Sequence, residues 1–106
     1  MRILFDQGTP VPLRRSLHPH TVDTASEMGW PALTNGELIA AAEQAGFHVM
    51  ITTDQNLKYQ QNLSQRKLGI IVLKTTSWPR IRNSISQITT GVNSLPSSGF
   101  LEIEFD

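Results

Sequence analysis

Ile3-Leu4-Phe5-Asp6 and Val49-Met50-Ile51-Thr52-Thr53-Asp54 are two apolar runs that each end in an aspartate. An uninterrupted run of this kind leaves no polar face, so it suits a strand covered on both sides, as in a parallel sheet. Open α/β sheets bind ligands beyond the carboxyl ends of their strands. With both runs as parallel strands, Asp6 and Asp54 are expected in one crevice. Two carboxylates converging there make a candidate site for Mg2+ or Mn2+, which are hard cations that take oxygen ligands.

The rest of the chain fits around these two runs. Residues 2–5 read as the first strand. Thr9-Pro10-Val11-Pro12-Leu13 begins a short helix, with Thr9 as N-cap and Pro10 at the first helical position, where proline sacrifices no hydrogen bond. That helix is expected to stop near Leu17, before His18-Pro19, and His20–Asp23 reads as a second strand. Thr24 to Leu33 is a loop punctuated by Gly29-Trp30-Pro31. Thr34-Asn35-Gly36-Glu37 fits a capping box, Leu38, Ile39, Ala41, Ala42 and Ala45 give the helix an apolar face, and Gly46 stops it.

Phe47–Thr53 is the next strand, and Asp54 suits the N-cap of a helix over about 55–65. Gly69–Lys74 reads as a buried strand from its β-branched content. A single helix is expected from Arg80 to Gly91 or Leu95, carrying Ile81, Ile85 and Ile88. Phe100–Phe105 alternates as an edge strand does. Strands alternating with helices predict one three-layer α/β/α domain around a mainly parallel sheet of 4–5 strands.

Composition narrows the function classes. A chain of 106 residues has the length of one domain with one core. The absence of cysteine excludes disulfides and thiolate metal sites. No apolar stretch approaches the ~20 residues of a membrane span, and the N-terminus does not read as a signal peptide. No membrane association and a cytoplasmic location are therefore expected. Nine basic and nine acidic residues cancel. Between Asp54 and Glu102 there is no acid, while Lys58, Arg66, Lys67, Lys74, Arg80 and Arg82 fall there. A basic flank beside an acidic centre suits a polyphosphate such as RNA. The same residues also read as ordinary solvated positions.

Other chemistries lack their patterns. His18, His20 and His48 make no zinc spacing, and there is no Gly-x-Ser-x-Gly, Gly-x-Gly-x-x-Gly or Walker A sequence. Trp30 and Trp78, both near prolines, read as covers for core edges.

Ile3-Leu4-Phe5-Asp6-Gln7 with Pro10, Leu33-Thr34-Asn35-Gly36-Glu37-Leu38-Ile39-Ala40-Ala41-Ala42, and Val49-Met50-Ile51-Thr52-Thr53-Asp54-Gln55-Asn56-Leu57 follow one another in an informative order. Together they resemble the small PIN-like proteins of the DUF5615 (Mut7-C-like) group, relatives of PIN-domain ribonucleases, many of them predicted toxins of toxin–antitoxin pairs. The likeness spans roughly residues 1–75. The acid that ends the group's first strand corresponds to Asp6. The acid that opens its helix after the long loop corresponds to Asn35, with Glu37 two residues on. The two acids after its third strand correspond to Asp54 and Asn56. Two of four carboxylates are therefore amides, which still offer an oxygen but no charge, so weak metal binding is expected.

Each site residue carries two readings. Asp6 is a metal ligand or a turn residue of Asp-Gln-Gly-Thr. Asp54 is a ligand, a helix cap, or both. Glu37 is a third acid of the site or the third position of its capping box. The resemblance implies an Mg2+- or Mn2+-dependent ribonuclease, with Asp6, Asp54 and Glu37 catalytic and Asn35 and Asn56 assisting Asp6 and Asp54 as ligands. Lys58, Lys74 and Arg80 are expected along the RNA backbone on their basic character alone. The amide positions favour a second expectation, a non-catalytic module that binds RNA, a cognate antitoxin or a second copy of itself. A metal phosphatase is a third, because the same crevice serves that chemistry.

Overall fold

The structure, a computed structural model, describes residues 1–57, 66–96 and 98–105. Its strands are β1 (Arg2–Phe5), β2 (Thr21–Thr24), β3 (Val49–Thr52), β4 (Gly69–Leu73) and β5 (Phe100–Ile103). They form one five-stranded sheet in the order β2-β1-β3-β4-β5, and every pairing is parallel. The three apolar runs lie at its centre and are buried throughout, apart from the half-buried Arg2.

Alternation within each run divides the core in two. Ile3, Phe5, Val49, Ile51, Ile71 and Leu73 face one side, where they meet Leu13, Leu17, Ile81, Ile88 and Val92. Leu4, Met50, Ile70 and Val72 face the other and meet Leu38, Ile39, Ala42, Leu57 and Leu68. A strand with apolar groups on both faces needs a cover on both, and the crossovers between parallel strands supply it. The result is the α/β layering that the sequence predicts.

Helix α1 (Asn35–Gln44) has the expected capping box, and Gly46 follows its end at φ +86°, a left-handed conformation that glycine adopts without penalty. Arg2 secures the same end. Its guanidinium donates to the Ala45 carbonyl at 2.6 Å, lies 4.1 Å from the centre of the Phe47 ring, and pairs with Asp23 at 3.6 Å. Trp30 meets Phe47 edge-on at 6.2 Å and covers a core edge as expected.

Two elements depart from expectation. Val11–Leu17 is a 3₁₀ helix with Pro10 as its N-cap, because Thr9 turns inward and leaves no side-chain cap. The single helix from Arg80 is instead two, α2 (Trp78–Arg82) and α3 (Ile85–Ser94). Ser77 caps α2 from two residues earlier than predicted, and the chain breaks at Asn83 and Ser84, where Ser84 takes φ −124° and ψ 26°. Ile81 and Ile88 still reach the same core cluster across that break. Most of the helix expected over 55–65 lies outside the described residues.

Candidate acidic site at the carboxyl edge

Asp6 follows β1 and Asp54 stands two residues past β3, and these strands are parallel neighbours with Phe5 opposite Ile51. Both acids therefore leave the same edge of the sheet side by side. The Asp6 amide still pairs with the Ile51 carbonyl at 3.2 Å, so the strand ends are held in register up to the site.

Thr52 joins the two acids. Its hydroxyl donates to Asp6 Oδ2 and accepts the Asp54 backbone N–H at 3.1 Å. Asp6 Oδ1 accepts the Gly8 N–H at 3.2 Å and lies 2.7 Å from the Thr9 hydroxyl. That hydroxyl is also 2.9 Å from the Ile51 carbonyl, so one proton is shared between two acceptors. Thr9 and Thr52 are the two buried polar residues among those described, and both hydrogen-bond Asp6. A buried hydroxyl needs a partner, and the carboxylate supplies it. Gly8 has its own constraint: a Cβ there would collide with the Thr53 hydroxyl.

Asp54 is held in a similar way. Its Oδ2 accepts from the Asn35 side-chain amide, and its Oδ1 accepts the Asn56 N–H at 2.9 Å. An amide at position 35 thus acts as a donor to the acid it stands beside, where a second carboxylate would repel it.

Asp6, Asp54 and Asn35 are the predicted residues that this network links. Glu37 is engaged in the cap: its Oε1 accepts the Thr34 N–H and the Thr34 hydroxyl, each at 2.9 Å, while its own N–H donates to Thr34 Oγ1 at 3.4 Å. The Thr34 N–H, and then the Thr34 hydroxyl, hold the Glu37 carboxyl below its ordinary 4.5. Asn56 contributes its backbone N–H to Asp54, and its side chain is exposed. Lys74 lies just past β4 on the same edge, ion-paired with Glu104 at 2.9 Å. Arg80 is exposed on α2, and Lys58 falls outside the described residues.

The sequence reading missed Thr9 and Thr52. Thr9 passed for a cap and Thr52 for one more β-branched strand residue. The signal for Thr52 lay in its position, since a hydroxyl inside an apolar run must find a polar partner. Thr9, in the turn sequence Asp6-Gln7-Gly8-Thr9, carried no such signal.

A divalent ion makes definite demands on these groups. Of the roughly four lone-pair positions on a carboxylate, three on Asp6 and at least two on Asp54 already face donors. Among the described residues no three His, Cys, Asp or Glu side chains gather as a metal-binding group. That donor set does not build a closed cage. It fits a largely hydrated ion of the Mg2+ type, which is commonly held by one or two carboxylates together with substrate phosphates.

No protein-family model, curated protein or solved structure matches this chain. Among the described residues no helix is long and apolar enough to cross a membrane.

Proposed function

We propose that the protein is a PIN-like ribonuclease dependent on Mg2+ or Mn2+, with a weakened acidic site, acting as the toxin of a toxin–antitoxin pair. The observation that carries this reading is the placement of Asp6 and Asp54 side by side at the carboxyl edge and their linkage through Thr52. The resemblance of residues 1–75 to PIN-like proteins supports it. Asp6 and Asp54 hold the ion, and an amide oxygen at Asn35 adds an uncharged donor. Thr9 and Thr52 fix the Asp6 carboxylate, so little ordering remains to be done when substrate arrives. A bound divalent ion supplies charge neutralisation at the phosphodiester and makes water more acidic. Lys74 and Arg80 add positive charge for the RNA backbone.

A specific contact favours a second reading, a non-catalytic PIN-like module that binds RNA or protein. The Asn35 amide donates to Asp54, and Glu37 is absorbed by its cap. Asn35→Asp separates the two readings. It sets a carboxylate against Asp54, so the variant loses stability in chelator and regains it in manganese. At about 100 times the Kd, mass action contributes ~2.7 kcal/mol. The nuclease reading expects a larger manganese shift in Tm for Asn35→Asp than for wild type, and the smallest for Asp6→Asn. Cleavage of labelled single-stranded RNA rises in the Asn35→Asp, Asn56→Asp double variant and disappears once Asp6→Asn is added. Folded proteins that all leave the RNA intact would move the assignment to the binding module.

A further inference from the structure

On the first core face, the 3₁₀ helix Val11–Leu17 and helices α2 and α3 border an open groove of about 730 Å³. Its floor is apolar, with Val11, Trp78 and Ile85, and its rim carries Arg14, Arg15 and Arg82. Val11 is 52 % exposed, the highest value among the described large hydrophobic residues. The three arginines are a third of the chain's nine basic residues, gathered from segments far apart in sequence.

These arginines differ in occupancy. Arg14 is held by Glu27 through two contacts, at 2.7 and 3.2 Å, and its Nε is buried without a hydrogen-bond partner among the described residues. Arg15 and Arg82 are exposed and form no ion pair among the described residues. An apolar floor that is exposed at Val11 and half-buried at Trp78 and Ile85 thus occurs together with guanidinium groups that have no ion-pair partner among the described residues.

We propose that this groove docks an acidic amphipathic segment of a partner protein. An amphipathic helix places side chains at i, i+4 and i+7 into such a floor, and its carboxylates match the planar fork of arginine, which binds them bidentately. Trp and Arg are also the residues on which binding energy concentrates at interfaces. A single-stranded nucleic acid is the weaker fit, because it needs successive aromatic faces. Among the described residues Trp78 is the one aromatic side chain of the lining, beside aliphatic Val11 and Ile85. The proposal is independent of the acidic site and stands whether or not RNA is cleaved.

The test is fluorescence anisotropy with a labelled helix-forming peptide of about 15 residues, long enough to populate helix, with leucines at i, i+4 and i+7 and glutamates between them. The expected result is saturable binding that weakens with salt. Arg15→Ala with Arg82→Ala is expected to weaken it about tenfold or more, as is Val11→Asp. Circular dichroism verifies that both variants remain folded. The proposal is overturned if the acidic peptide does not bind, or if its lysine-substituted counterpart binds equally well. It is equally overturned if the arginine variant binds unchanged, or if oligouridine occupies the groove in preference to the peptide.

Discussion

At the carboxyl edge of the sheet, Asp6 and Asp54 meet donors from their own chain on both oxygens. In the groove on the first core face, Arg15 and Arg82 present charge with no ion-pair partner among the described residues. Both regions concentrate polar groups, but they use them differently. Hydrogen bonds satisfied within the chain fix strand ends and loops, so removing them is felt as lost stability. Charges left facing water do little for the fold and remain available for a partner.

The largest effect is expected where that internal network is cut. Thr52→Val keeps the side-chain shape but strands Asp6 Oδ2 and the Asp54 N–H, for a loss of ~1–3 kcal/mol. Each kcal/mol lowers the Tm of a domain this size by about 4–8 °C. Asp6→Asn is expected to destabilise in the same direction, since its NH2 must face the Gly8, Thr9 or Thr52 donors. Simple repulsion between the two acids argues for the opposite sign, so chemical denaturation of this variant decides which force dominates. An unchanged midpoint in both variants would remove the contrast between the two regions.

Glu37→Gln is expected to have a smaller and pH-dependent effect. The folded-state carboxyl lies below its ordinary 4.5, so its stabilisation is fully present above that pH. It is lost as pH falls through the lowered folded value. Wild type and variant are therefore expected to differ in Tm at about pH 7 and to converge in acid. A gap that persists unchanged at low pH would mean that Glu37 acts other than through its charged cap. The smallest effect on stability belongs to Arg15→Ala with Arg82→Ala, which is expected to stay within ~0.5 kcal/mol of wild type. A large loss there would show that the groove, like the acidic edge, is structural.

The same contrast explains what the sequence could convey. Ile3 to Phe5, Val49 to Ile51 and Gly69 to Leu73 announce central parallel strands because burial on both faces leaves no polar position. Asp6 and Asp54 were legible as a pair because each ends such a run. The cap of α1 was legible because its bonds span only three residues, from Thr34 to Glu37. What escaped depends on contacts distant in sequence. Thr9 reaches Ile51, and Arg15 shares a groove with Arg82. The break between α2 and α3 was hidden because Ile81, Ile85 and Ile88 keep a helical spacing across Asn83 and Ser84.

The strand order has a consequence for how the chain assembles as it is made. β2 adds to one side of β1, and β3, β4 and β5 then add in turn on the other. No strand has to be wedged between two that are already paired, so each one joins at an open edge. Non-local pairings are slow to form because loop closure precedes their reward, and here the longest wait is imposed on β1. Its Ile3 meets Val22 early but Val49 only after the whole of α1 has emerged. Until then the Asp6 carboxylate has no Thr52 to grip, and the arrival of β3 both completes the centre of the sheet and locks its acidic end.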